Sequence, residues 1–434
     1  MIIEGAGVAS DMALPSPRRR SAAPAVLVVG VALVAAACSG PSTGSLDVDA
    51  PNAGAPSSTA PSTTIEDYPD AQTRALDRLM RAPRPVPRSA LPPRHFDTER
   101  FPESLVDRSL IVSGGVAPDA IASVDEPSFE AAGAVDWLDD DEAVLAIEIG
   151  DEARAYPIQV MIFHEIVNDT IGDTPVAVTY CPLCNSGVAF DRRVGGRLFD
   201  FGTSGSLYQS ALVMYDRQTE SLWTHFDGRA VVGDRIGDRL TLLPVATVGW
   251  DDFRRAHPDG LVLARPDPDV PYGRNPYGSY DSADGPVAGF FRGAVDDRLA
   301  PMARVVGVQV DGAEIAVPLD RLRRERLVTI EIGERQVVVA WQAGTTSALD
   351  RNRVDEGVDV GATGVFWTDR ELVAPAEGSE AAIVDPATGE QWTILGTGLA
   401  GADGTMPPPL PAAAHLDTFW FAWSTYHPST DLQP

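Results

Sequence analysis

Lysine is absent from the 434 residues, so arginine supplies all 34 basic side chains. That absence excludes Schiff-base chemistry and lysine general bases. Cations are also outnumbered: 62 Asp and Glu leave a net charge of −28 with six histidines neutral, which argues against a nucleic-acid partner, because phosphate backbones are met by basic faces. Cysteine is scarce, with only Cys38, Cys181 and Cys184. Three cannot staple a disulfide scaffold, so each needs its own explanation. There is no P-loop, no dinucleotide glycine fingerprint and no G-x-S-x-G elbow, and Gly202-Thr203-Ser204-Gly205 does not supply one, so no nucleotide cofactor is expected.

What is present is apolar content of 44 %, enough for buried cores in two or three domains, with 39 Gly and 36 Pro that favour turns and strands over helical bundles. The fold class expected is mainly β, a β-rich α+β chain with a few short helices. At the N-terminus, Arg18-Arg19-Arg20 precedes an apolar run from Ala23 to Ala37 and then Cys38-Ser39-Gly40, the order of a secretory signal and shorter than the roughly 20 residues that span a bilayer. Ala35-Ala36-Ala37-Cys38 resembles a bacterial lipobox, which implies cleavage before Cys38 and lipidation of its sulfur. The expected location is the extracytoplasmic face of the cell membrane, with the membrane as partner through that anchor. Losing Arg18, Arg19 and Arg20 against Glu4 and Asp11 moves the charge to −29, so the acidity belongs to the exported part.

The expected organisation is a signal peptide over 1–37, a flexible Ser/Pro/Thr tether over 38–64 and a helical, Pro-rich lead-in over 65–135 that includes His95. A repeat then orders the remainder: Glu142 to Ser186 lies without a gap over Ala303 to Ser347, an offset of 161. DRQTESLW from Asp216 matches DPATGEQW from Asp385, and His257-Pro258 matches His427-Pro428. Two tandem homologous units are expected, 136–266 and a degenerate 302–434, joined by a Tyr/Pro/Gly connector over 267–301. Strand-turn-strand patterns surround Gly150-Asp151 and Gly195-Gly196, PVAVTY reads as a strand, and helices are expected over Ile158 to Asn168 and Trp250 to His257.

Duplication supplies an internal control. Features common to both copies, such as His257 and His427, read as structural. Polar groups confined to the first copy are better functional candidates: His164 and Glu165 face Glu325 and Arg326, Cys181 and Cys184 face Gln342 and Thr345, and His225 faces Ile394. Two cysteines separated by two residues can converge on one ion, and His164 can complete the site. Soft sulfur ligands point to Cu or Zn bound by Cys181, Cys184 and His164, with Glu165 orienting a ligand or taking a proton. Two other readings stay open: a thiol-disulfide redox pair, and a structural disulfide or inert thiols in a non-catalytic interaction module. A zinc deaminase is disfavoured, because His164-Glu165 is not H-x-E and Tyr180 stands where that signature has Pro. The aromatic and polar loop Tyr272 to Tyr280 is a candidate site lining with Arg274 as an anion anchor, although a Pro/Gly/Tyr turn packed against one repeat explains it better. His415 reads as incidental.

AYPIQVMIFHEIVNDTIGDTPVAVTYCPLCNSGVAFDR, FGTSG, MYDRQTESLW, YGRNPYGSYD and FWFAWSTYHPSTDL together resemble the bacterial and archaeal family called domain of unknown function 3179, over roughly Asp136 to Leu432. The resemblance implies export, often as a lipoprotein, and carries no established activity. The family pattern has Gly where this chain has Asn185, a residue that also tolerates a left-handed turn, and commonly Gln or another polar residue at the position of His225.

Overall fold

The computed structural model describes residues 100–434 apart from Glu377. The expected signal, lipidation at Cys38, the tether, the first part of the lead-in and His95 lie outside the described residues. The described chain is mainly β, as its composition and patterning require.

Strand β1 (Ala143–Ile149) turns at Gly150, φ +62°, into β2 (Glu152–Pro157), with Val144 opposite Pro157. Pro157 cannot donate to a ladder and leads directly into helix α1 (Ile158–His164). That helix is shorter than its sequence suggests. Glu165 takes φ 57°, its N–H closes on the Met161 carbonyl, and the β-branched pair Ile166-Val167 opens strand β3 (Ile166–Ile171) where helix was expected. Strand β4 (Thr174–Cys181) pairs with β3 and with β5 (Ser186–Asp191), so β4 is central and buried along nearly its whole length. The chain does turn at Gly195-Gly196, both glycines at positive φ, but the hairpin is Arg193–Val194 with Arg197–Leu198 and not the expected Val188 to Arg192 with Arg197 to Phe201, because Val188, in β5, pairs with Thr179. Strands β6 (Phe201–Tyr208), β7 (Ala211–Asp216) and β8 (Leu222–Thr224) continue a second sheet. Then β9 (Ala246–Gly249) returns to pair with β1, helix α2 (Trp250–Ala256) follows, and β10 (Leu261–Leu263) runs parallel to β2.

The same order recurs later in the chain. β11 (Arg304–Val310), β12 (Ala313–Pro318), α3 (Leu319–Glu325), β13 (Leu327–Ile332) and β14 (Arg335–Gln342) succeed one another. Val305 pairs with Pro318 and Leu327 with Ala340, 161 residues beyond Val144–Pro157 and Ile166–Thr179. After α3, Arg326 takes φ 64° where Glu165 takes 57°, so the left-handed residue belongs to the helix-to-strand junction. β14 also pairs with β15 (Ala362–Thr368); β16 (His415–Phe419), α4 (Trp420–Tyr426) and β17 (Asp431–Leu432) close the chain. His257 and His427 both cap their helices at φ near −130°, bonding back to Phe253 and Trp423.

The two halves differ at the turn that carries the cysteines. β4 and β5 meet through a tight turn with Cys181 opposite Ser186, whereas residues 343–361 separate β14 from β15. The core that holds the cysteines also takes in Phe419, Trp420 and Trp423, and the Cys184 carbonyl accepts from Phe419 N–H at 3.1 Å and Thr418 Oγ1 at 2.7 Å. The later strands thus brace the cysteine turn from behind.

Gly307 on β11 lies against Trp423, with an added Cβ reaching ring carbons at 2.1 Å. Its counterparts on β1 and α2 are Ala146 and Phe253, a larger strand residue with a smaller ring. Gly307→Ala should therefore cost about 1–3 kcal/mol by overpacking, measured by urea unfolding, and Trp423→Phe in the same chain should recover part of the loss.

Candidate functional site

Cys181 ends β4 and Cys184 sits in the turn after it, where Asn185, at φ 49°, closes back on the Pro182 carbonyl at 3.2 Å. Both thiols are free and buried. The Cys181 sulfur accepts the Leu212 N–H at 3.4 Å, presented just after a turn in which Gln209 and Ser210 both take positive φ. Cys184 lies 3.0 Å from Ser186 Oγ and 3.8 Å from the Cys181 carbonyl. The two sulfurs differ electrostatically. Burial pushes the Cys181 thiol up, but the neighbouring Cys184 side chain and the amides of Leu212, Cys184 and Leu183 outweigh it and hold Cys181 below the ordinary thiol value. Burial, and then the adjacent Cys181 sulfur with its charge, push Cys184 well above that value.

Glu165 is 8 % exposed, and among the described residues no hydrogen bond or ion pair reaches its carboxyl. Burial first, and then the negative charge of Cys181, push it up to about 8. A buried carboxyl without a partner is costly. Here it faces a thiol whose own proton is loosely held.

His225, just after β8, is fully buried. Its Nδ1 lies 2.8 Å from Thr179 Oγ1 and its Nε2 2.8 Å from Ser186 Oγ. Burial pushes its pKa down to about 3, so the ring is neutral.

His164 does not join the cysteines. Its Nδ1 meets the Ala122 carbonyl at 2.8 Å and its Nε2 the Tyr272 hydroxyl at 2.7 Å, so both nitrogens hold the connector and the lead-in against α1. Among the described residues no group of three or more His, Cys, Asp or Glu side chains gathers to hold a metal ion. The expected Cys181/Cys184/His164 cluster is therefore not assembled; the structure brings together Cys181, Cys184, Glu165 and, through Ser186, His225.

The connector lies over this group. Tyr280 donates to the Leu183 carbonyl at 3.0 Å, and Ser210 N–H donates to the Phe290 carbonyl at 3.0 Å. Burial, then the charges of Glu165 and Cys181, push Tyr277 up; burial, then the two cysteines, push Tyr280 up. Arg274 is exposed and pairs its backbone with Arg353, leaving the tyrosines as the part of the loop that meets the site. Ser186 and Thr179 were not singled out by the sequence, whereas the tyrosines belong to the loop Tyr272 to Tyr280, for which the sequence favours a packed turn over a site lining. Ser186 was hidden because Ser347 occupies the matching position.

The model of a family described as a protein of unknown function, DUF3179, matches residues 118–430. The match begins ahead of Asp136, and the added stretch is built into the fold: Asp119 N–H bonds the Thr203 carbonyl at 2.9 Å and Ala122 holds His164. No curated protein and no solved structure matches the chain. With most of its length covered by that one model, the chain belongs to the DUF3179 family of proteins of unknown function.

Proposed function

We propose that the protein is a thiol-disulfide exchange protein, held at the extracytoplasmic face of the membrane by lipid on Cys38, in which Cys181 attacks and Cys184 resolves. The observation that carries this reading is the asymmetry of the pair: one sulfur accepts several hydrogen bonds and is eased toward thiolate, while its neighbour is held as a thiol. The soft-metal reading depended on His164 as third ligand, and both nitrogens of that ring are engaged elsewhere.

The reaction balances as an exchange with a disulfide. Cys181 first releases its proton to water, and its thiolate attacks one sulfur of the substrate disulfide, forming a mixed disulfide and releasing the other sulfur, which takes a proton from Glu165. Cys184 then loses its proton, reprotonating Glu165 in the net balance, and attacks the Cys181 sulfur. The intramolecular disulfide forms and the second substrate sulfur departs, to be protonated from water. Two cysteine thiols are oxidised and one disulfide is reduced to two thiols. Cys181 is 2 % exposed, so Tyr277 and Tyr280 must withdraw to admit the substrate.

The test uses reduced full-length protein and glutathione disulfide. Both cysteine thiols should disappear with release of two glutathiones per chain. Folded protein whose thiols persist, or purified protein carrying stoichiometric copper or zinc that Cys181→Ser loses, would count against the proposal.

A further inference from the structure

The Cys184 thiol stands at one end of a hydrogen-bond chain whose direction is set at the other end. The Val188 main-chain carbonyl can only accept, so Thr179 Oγ1 donates to it, at 3.1 Å. With its single proton so placed, Thr179 accepts from His225 Nδ1 at 2.8 Å, which makes Nδ1 the protonated nitrogen of a neutral ring. Nε2 then carries a lone pair and accepts the Ser186 hydroxyl at 2.8 Å. Ser186 Oγ, its proton directed at His225, can meet the Cys184 sulfur 3.0 Å away only as an acceptor.

We propose that His225 is a positioning residue: acting through Ser186, it holds Cys184 as a hydrogen-bond donor and so reserves attack for Cys181. This inference rests on the exchange reading for its purpose, while its claim about proton positions stands separately. In the second half of the chain the serine is kept as Ser347, but Ala340 matches Thr179 and Ile394 faces His225, so the chain of bonds has no counterpart there. The titratable groups facing the two sulfurs are Glu165, Tyr180, Tyr277, Tyr280 and Tyr426. None belongs to the chain, and no charged group shifts the His225 ring, which burial pushes down and the Ser186 backbone pushes up.

Two readouts test it in the full-length protein. Long-range ¹H–¹⁵N spectra should show His225 as the neutral Nδ1–H tautomer; an Nε2–H ring would reverse the chain and overturn the inference. The site of attack is then located by mass spectrometry after brief exposure to glutathione disulfide and acid quenching. Wild-type adduct should favour Cys181 by roughly 10-fold or more, and His225→Phe should bring the two sites within about threefold, because the freed Ser186 hydroxyl can now donate to a Cys184 thiolate. His225→Gln, which keeps one acceptor and one donor, should restore most of the preference, and Ser186→Ala should weaken it with less risk to folding. An unchanged preference in folded His225→Phe and Ser186→Ala would overturn the inference. A protein forming no adduct at either cysteine would contradict the exchange reading alone. The tautomer, and the protonation of Cys184 read from its ¹³Cβ shift in wild type and Ser186→Ala, would then decide the proton claim.

Discussion

Cys184→Ser should accumulate a stable mixed disulfide on Cys181 when treated with glutathione disulfide, while Cys181→Ser should react ~100-fold more slowly than wild type. The asymmetry arises from the turn that presents the pair. Leu212 N–H points at the Cys181 sulfur, and the amides of Cys184 and Leu183 add to it; at Cys184, the Ser186 hydroxyl and the residue's own amide do not offset burial and the adjacent Cys181 sulfur. Serine at 184 leaves the Leu212 N–H and the neighbouring amides on Cys181, so the nucleophile is retained and only the resolving step is lost. Mass spectrometry of the intact protein separates the two outcomes. Equal reactivity of the two variants would show that the hydrogen bonds at Cys181 do not select the attacking sulfur.

Glu165→Gln should flatten the fall in stability that the wild-type protein shows on going from neutral to alkaline pH. A glutamate ionises near 4.5 when unfolded, whereas Glu165 in the fold holds its proton to about 8. Between those values the folded state binds a proton that the unfolded state has released. Stability from this group is thus complete below about pH 4.5 and is lost as pH rises toward 8. Glu142, pushed by burial to about 7, and Asp216, pushed by burial to about 6, act with the same sign at lower pH. His225, neutral in the fold down to about 3, acts with the opposite sign below its ordinary value of 6.5. The clean window for Glu165 is therefore from pH 7 to 8, above the range of Glu142, over which wild type should lose about 1 kcal/mol more than Glu165→Gln in urea unfolding under reducing conditions. Matching slopes would mean that the carboxyl is already ionised in the fold.

Comparison of the two halves of the sequence found much of the site, and its failures have physical causes. Cys181, Cys184, Glu165 and His225 stood out because Gln342, Thr345, Arg326 and Ile394 face them, and the structure gathers those four. His164 stood out for the same reason yet serves another purpose. It bonds Tyr272 of the connector, a segment that comes after the first set of strands, so a contrast between copies reports a difference in neighbours as readily as a difference in chemistry. Ser186 was passed over because Ser347 matches it, although the two hydroxyls have unlike partners: Ser186 meets Cys184 and His225, and Ser347 meets Asp281 and Arg304. The loop that carries Tyr277 and Tyr280 stood out for Arg274, but its packing on the cysteine turn was not legible, because that contact spans roughly a hundred residues of chain and no local pattern encodes it.

Local structure was legible where backbone chemistry decides it. Gly150 and the Gly195-Gly196 pair supply the positive φ that tight hairpins demand, and Asn185 accepts the left-handed geometry at φ 49°. The α1-to-β3 junction was not, since helix periodicity runs on past His164 and only the positive φ of Glu165, repeated at Arg326, shows where the helix must stop.

The most direct test of a reactive pair at Cys181 and Cys184 is equilibration of the full-length protein in glutathione buffers of graded redox ratio, with acid trapping and measurement of the free-thiol fraction at each cysteine. A single reversible two-electron transition, in which both thiols disappear and return together and which Cys181→Ser abolishes, is the result predicted. Thiols that stay reduced across the whole range in folded protein, or a disulfide that no buffer in the range reduces, would contradict it.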